Sequence, residues 1–231
     1  MAKEPIIRGD RVLRYNFSER VMHCFAAFSY IYCLLTGFAF WSPSLFWIAV
    51  LLGGGSTSRM LHPWVGLVYA ASVIYMLSVW KKDMLITDLD RRWTKFIGAY
   101  VRNEEEEALP EHAVRSFQQF APVDRFNLGQ KYLFWLLLWG GIVLLLTGTV
   151  LWFSEYIPWN LRFLRLASVI LHPIAFLFTL AGFIIHVYMG TAVERGSFNS
   201  IIHGYVSETW ARHYHRLWVD RIIGNADAKR S

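Results

Sequence analysis

The stretch LASVILHPIAFLFTLAGFIIHVYMGTAV, residues 166–193, decides the fold. Its 28 residues include no Asp, Glu, Lys or Arg, enough to cross a bilayer as one helix with some tilt. Two histidines stand inside it, His172 and His186. Fourteen residues at ~100° each come to four turns less about 40°, so both imidazoles leave one face of the helix. At ~1.5 Å of rise per residue they are about 21 Å apart along the axis, one near each side of the hydrocarbon. An ionisable side chain at such depth marks a functional site. Two on one stripe, at opposite depths, are arranged as ligands for two stacked cofactors.

Outward from this span, the chain keeps a membrane profile. Of 231 residues 55% are hydrophobic, 17% aromatic and 17% charged, with mean hydropathy +0.32. The pattern predicts four transmembrane helices over about residues 21–42, 61–80, 131–153 and 166–193. The fold class is all-α, an integral membrane four-helix bundle in one domain. Residues 44–52 are apolar but too short to span and are expected at the interface; residues 53–58 read as a flexible turn. A polar loop at 81–130 carries the acidic run Glu104–Glu107 between breaks at Pro110 and Pro122, and residues 194–231 read as a polar tail. Twenty Lys and Arg lie in the N-terminal segment, this loop with Lys131, and the tail, against three in the other two loops. That imbalance makes both termini and the 81–130 loop cytoplasmic. The net charge of +6 is thus a topology signal, and the expected partner surface is membrane lipid, not nucleic acid. The basic N-terminus lacks the apolar core and cleavage site of a signal peptide, so the first span is expected to persist. Cys24 and Cys33 are nine residues apart on one helix, too far to bridge. No CxxCH occurs, so any haem is b-type. No internal repeat, heptad or low-complexity tract is expected.

On this topology the histidines sort by depth. His23 and His186 lie at the cytoplasmic side, His62 and His172 at the outer side. Crossed pairs would be most of a bilayer apart, so the expectation is a dihaem cytochrome b, one haem on His62 and His172 and one on His23 and His186. Gly37 lies fourteen residues after His23, on the same stripe; Gly66, Gly140, Gly141 and Gly148 are further small residues, which also serve close helix packing. His112, His203, His213 and His215 are expected to be solvated. Arg59, Arg162 and Arg165 outside, with Arg20, Arg125 and Lys131 inside, are candidates for haem propionates or for headgroup anchoring.

Arg14-Tyr15-Asn16 before His23, His62-Pro63-Trp64-Val65-Gly66, Arg125 to Lys131, and the His172–His186 spacing carry a resemblance that spans nearly the whole chain. The chain resembles the gamma, cytochrome b556, subunits of respiratory membrane-bound formate dehydrogenases. The resemblance implies a multi-pass protein of the bacterial inner membrane. It implies electrons arriving at the outer haem from an iron–sulfur beta subunit, beside a molybdenum or tungsten alpha subunit that oxidises formate, in a heterotrimer open to higher oligomerisation. The inner haem would pass them to a quinone, menaquinone for preference, in a pocket holding Asn127, Gly129 and His186. An amide at Asn127 can donate to a quinone carbonyl, although the same residues read equally as a turn or N-cap. The alternatives are the cytochrome b of a nickel–iron hydrogenase or thiosulfate reductase, a stand-alone cytochrome b561-like reductase, and a haem-free anchor or transporter subunit.

Overall fold

The computed structural model describes residues 7–94 and 123–227. The Glu104–Glu107 run, Pro110, His112 and Pro122 lie outside the described residues. In chain order the elements are β1 (Ile7–Arg8), β2 (Arg11–Leu13), α1 (Phe17–Trp41), α2 (Trp47–Leu51), α3 (Gly55–Trp80), α4 (Asp88–Trp93), α5 (Leu128–Trp152), α6 (Arg162–Tyr188), α7 (Ser197–His203), β3 (Tyr205–Ser207), α8 (Glu208–Tyr214) and α9 (Arg216–Asp227). α1, α3, α5 and α6 are long and apolar enough to cross a membrane, and α6 runs on into a π-helical turn, Met189–Val193.

Each span starts earlier than its apolar run, and α1 and α5 do so behind polar caps. Asn16 Oδ1 accepts from Glu19 N at 2.9 Å while Asn16 N donates to Glu19 Oε2 at 2.8 Å. Asn127 and Gln130 make the same reciprocal box at the start of α5, 2.9 and 3.1 Å. Such boxes satisfy first-turn N–H groups that the helix itself cannot. The glycine run is shorter as a turn than its sequence suggests. Only Gly53 and Gly54 adopt the left-handed backbone, φ +95° and +99°, and α3 begins at the next residue.

The described chain divides into two compact units. The first holds residues 21–79 and 135–184. Its interior is built from small and hydroxylic residues: Thr36, Ser58, Ser72 and Thr179 are almost fully buried. Thr36, Ser72 and Thr147 return their hydroxyl protons to the carbonyl four residues earlier, which makes a polar side chain acceptable inside an apolar helix. Large residues such as Phe28 and Leu146 point outward, as lipid-facing positions require.

The second unit holds residues 7–20, 80–94, 123–134 and 185–227. It adds what an all-α reading omits: a three-stranded antiparallel sheet, β1-β2-β3, pairing Val12 with Val206. The tail is likewise not simply polar. Val12 and Val206 pack with Ala211, Trp218, Val219 and Ile222 in a core of their own. Charge is paired here rather than excluded. The Arg125 guanidinium reaches Glu19 Oε1 at 2.7 Å and Asp83 Oδ2 at 3.1 Å, and Trp80 Nε1 donates to the same Glu19 oxygen at 2.6 Å. Burial alone would lower the Arg125 pKa, but Glu19, with Tyr15 and Asp83, raises it above its ordinary value. Lys131 Nζ meets Asp90 Oδ2 at 2.7 Å, both buried.

One contact exposes a repeat that a linear reading passes over. Arg14 Nη2 donates to Arg125 O, and Arg125 Nη2 donates to Arg14 O, both at 3.1 Å. Arg14-Tyr15-Asn16-Phe17-Ser18-Glu19 indeed matches Arg125-Phe126-Asn127-Leu128-Gly129-Gln130, Thr36-Gly37 matches Thr147-Gly148, Trp41 matches Trp152, and His62-Pro63 matches His172-Pro173. The expectation of no internal repeat is therefore corrected. The two halves share few apolar identities, and lipid-facing positions tolerate any large apolar residue, so the match survives only at capping and site positions.

Candidate functional site: a dihistidine cavity

In the first unit, α3 brings His62 and α6 brings His172 face to face. Their ring centroids are 6.4 Å apart with planes at 59°. Each histidine precedes an in-helix proline, Pro63 or Pro173, which removes the N–H that would pair the carbonyl four residues earlier. Both rings line an apolar cavity of about 1160 Å³, to which α1 and α5 contribute Gly37 and Gly148. Gly66 also lines it, and a Cβ there would meet nothing within 4 Å, so the cavity is open at that wall.

Each imidazole is held from behind. Thr36 Oγ1 lies 2.6 Å from His62 Nδ1, and Thr147 Oγ1 lies 2.9 Å from His172 Nδ1. Cys33 Sγ contacts the His62 carbonyl at 3.6 Å, and Phe40 stands edge-on to the His62 ring. This geometry fits an iron between the rings. Two metal–imidazole bonds of ~2 Å, with about an ångström more from each nitrogen to its ring centre, separate the centroids by about 6 Å. Imidazole is a ligand for iron, and the cavity exceeds the usual range for small-molecule sites.

The remaining sequence candidates fall as follows. His23 is in the second turn of α1 and His186 in the last turn of α6. In the second unit, Asn127 caps α5, and its Nδ2 donates to the buried Glu194 at 3.0 Å. Gln130 Nε2 reaches both oxygens of Glu194, at 3.2 and 3.1 Å. Gly129 is two residues past that cap, in the first turn, where a Cβ would come within 3.3 Å of Asn127 Oδ1. Met189, just past His186, packs on Trp93, Val123 and Leu128. The start of α5 and the end of α6 are thus joined in this unit.

Of the six basic residues considered for propionates, Arg59 lines the cavity. Arg125 and Lys131 are occupied by carboxylates, and Arg20 and Arg165 donate to the Ile202 and Ile157 carbonyls. Arg162 stacks over Trp159. Among the four histidines expected to be solvated, His215 is fully buried, a correction with a clear cause. Its Nδ1 meets the Asp124 carbonyl at 2.7 Å and its ring lies against Trp210 and Trp218. Burial, together with the Arg14 charge, holds its pKa well below the usual imidazole range. Sequence reasoning missed Thr36, Thr147 and Glu194. For the threonines the signal was present: Thr-Gly, then Trp five positions after the Thr, in both halves.

Four apolar spans around a cavity with two facing, back-bonded imidazoles define a multi-pass membrane cytochrome of the b type, an electron-transfer subunit. The chain belongs to the prokaryotic cytochrome b561 family, whose model matches residues 14–204. It is 30% identical to the formate dehydrogenase cytochrome b556 subunit of Haemophilus influenzae, over 94% of this chain and 86% of that one. It is 29% identical to the formate dehydrogenase cytochrome b556(fdo) subunit of Escherichia coli K12, over 96% and 98%. To the nitrate-inducible cytochrome b556(Fdn) subunit of the same strain it is 28% identical, over 96% of each chain.

Proposed function

We propose that the chain is the membrane cytochrome subunit of a formate dehydrogenase in a bacterial inner membrane, carrying electrons from a periplasmic-side iron–sulfur subunit to a quinone at the cytoplasmic side. The observation that carries the reading is the His62–His172 pair, 6.4 Å apart inside an apolar cavity. The names and coverage of the relatives support the donor complex. The basic residues of the N-terminus, the 81–130 loop and the tail support cytoplasmic termini.

A b-type haem held by two imidazoles supplies one-electron exchange at its iron. The chain's own part is to fix the ligands and keep water out. His62 and His172 hold the outer haem, and Arg59 on the same lining offers a guanidinium to a propionate. His23 and His186 hold an inner one. The support for this second pair is spacing: α6 runs unbroken from His172 to His186, and α1 from His23 to Gly37. The quinone site is assigned to the junction of α5 and α6, with His186, Asn127 and Gly129. Met189 and Glu194 draw those two helix ends together in one unit. Two protons taken there from the cytoplasm complete quinone reduction. Moving an electron toward the negative inside costs up to ~2.3 kcal/mol per 100 mV, so the donor's potential must lie below the quinone's by at least that much.

The test is haem content per chain and the dithionite-reduced spectrum of the detergent-purified complex. Two b-type haems are expected. In a His23→Ala variant one haem remains reducible by formate while quinone reduction is lost. A single haem in the parent protein overturns the inner pair, and none overturns the whole reading.

A further inference from the structure

We infer that Thr36 and Thr147 are positioning residues that fix the tautomer and electron-donor strength of His62 and His172; this rests on the reading that those two histidines hold an iron.

A threonine hydroxyl has one proton to give. Thr36 Oγ1 lies 2.9 Å from the Tyr32 carbonyl and 3.1 Å from the Cys33 carbonyl, while Thr147 Oγ1 lies 2.6 Å from the Val143 carbonyl. A hydroxyl oxygen that close to a carbonyl oxygen must place its proton between them; otherwise two lone-pair oxygens face each other. The contact to each imidazole is then accepted by the threonine, so Nδ1 carries the hydrogen and donates. That leaves Nε2 unprotonated, on the edge of the ring away from its threonine, and both rings line the cavity. An imidazole whose outer N–H is engaged by an acceptor is a stronger donor to a metal and holds one orientation.

The device occurs twice. Thr36 on α1 serves His62 on α3, and Thr147 on α5 serves His172 on α6, at equivalent positions of the two halves. Both threonines are nearly buried, so water does not substitute for them as acceptor. Packing alone does not require a hydroxyl in both halves, since valine has the same shape.

The experiment is a spectroelectrochemical titration of the purified complex, with ferric low-spin EPR, for Thr36→Val, Thr147→Val and the matching serine variants. The component to watch is the haem lost in His62→Ala. Its midpoint potential should rise in each valine variant, by about 59 mV for each tenfold loss of preference for the ferric state. Its EPR signal should broaden or shift as the ring loses its anchor, and both serine variants should return toward the parent. If a valine variant loses the haem outright, retention in the serine variant supports the same assignment. Unchanged potential and EPR signal in both valine variants overturn it, as do serine variants that behave like valine. Haem content unchanged in His62→Ala instead overturns the ligand reading beneath it.

Discussion

The two halves of the chain, residues 14–63 and 125–173, were built to one plan and diverge in instructive places. Both begin with an arginine, an aromatic residue and a capping asparagine. Both place a Thr-Gly pair twenty residues beyond that asparagine, and both return a His-Pro on the next long helix. The halves part at the third cap residue. Glu19 carries a charge and draws Arg125 and Trp80 onto itself, whereas Gln130 is neutral and turns to Glu194. They part again at His23, whose counterpart is Phe134, and at His186, whose counterpart is Met76. His62 and His172 thus stand at equivalent positions, one in each half, whereas His23 and His186, proposed above for a second haem, have no histidine counterpart.

The largest effect should come from breaking the symmetric pair. His62→Ala and His172→Ala should each remove the same haem and abolish formate-driven reduction of the remainder, because neither imidazole alone completes the axial set. Loss of different spectral components in the two variants would break the equivalence of the halves. His23→Ala, at a position where the two halves differ, should leave that haem in place.

The arginines come next. Arg125→Ala leaves Glu19 buried without its cation, and removing one partner of a buried pair costs about 3–5 kcal/mol. Arg14 lies among the rings of Tyr15, Phe126, Trp210 and Trp218, and among the described residues its Nε and Nη1 have no hydrogen-bond partner. Arg14→Met breaks no ion pair and should then cost less than Arg125→Ala, about 2 kcal/mol, the order of a desolvated cation–π contact. Thermal unfolding midpoints in detergent will rank the two. An equal drop would mean that the reciprocal backbone bonds, not the carboxylates, hold this region.

How much of this could be read from the chain alone follows from where water is absent. A long apolar run with no charge has one solution in a bilayer, a helix, so α1, α3, α5 and α6 were legible. The depth of His62 and His172 followed from helical rise, and the two rings do meet. Where water is present the alternatives multiply. The 7–13 strands, β3 and the fully buried His215 depend on a small core made by residues nearly two hundred positions apart, which no local period announces. The threonines, though they recur in both halves, were passed over for another reason. A hydroxyl in an apolar helix looks like a defect until the acceptor it supplies is seen.

A smaller effect, confined to the second unit, is one of pH. Folded His215 is kept neutral by burial and Arg14, whereas in the unfolded chain it titrates near ~6.5. Below that pH the unfolded chain binds a proton that the folded one refuses, so stability falls as pH falls, by up to ~1.4 kcal/mol per unit. Limited proteolysis of the tail between pH 8 and pH 5 should show this slope. His215→Asn, which can still donate to the Asp124 carbonyl, should flatten it. A slope unchanged in that variant would locate the titration elsewhere.

The finest comparison is between equivalent glycines, Gly37 and Gly148, both on the cavity wall. A Cβ at Gly148 would lie 3.2 Å from His172 Cε1, tighter than ordinary contact, so Gly148→Ala must push the ring. A Cβ at Gly37 would meet only Phe176 at 3.8 Å, an ordinary contact that leaves both imidazoles where they are. Gly148→Ala should thus shift the low-spin EPR signal of the haem proposed on His62 and His172, while Gly37→Ala leaves it in place. Equal shifts from both would show that these glycines are read by the cofactor's own bulk. An effect of Gly148 alone would mean that the second copy of the repeat uses its glycine to seat the ligand, a role the first copy has not needed.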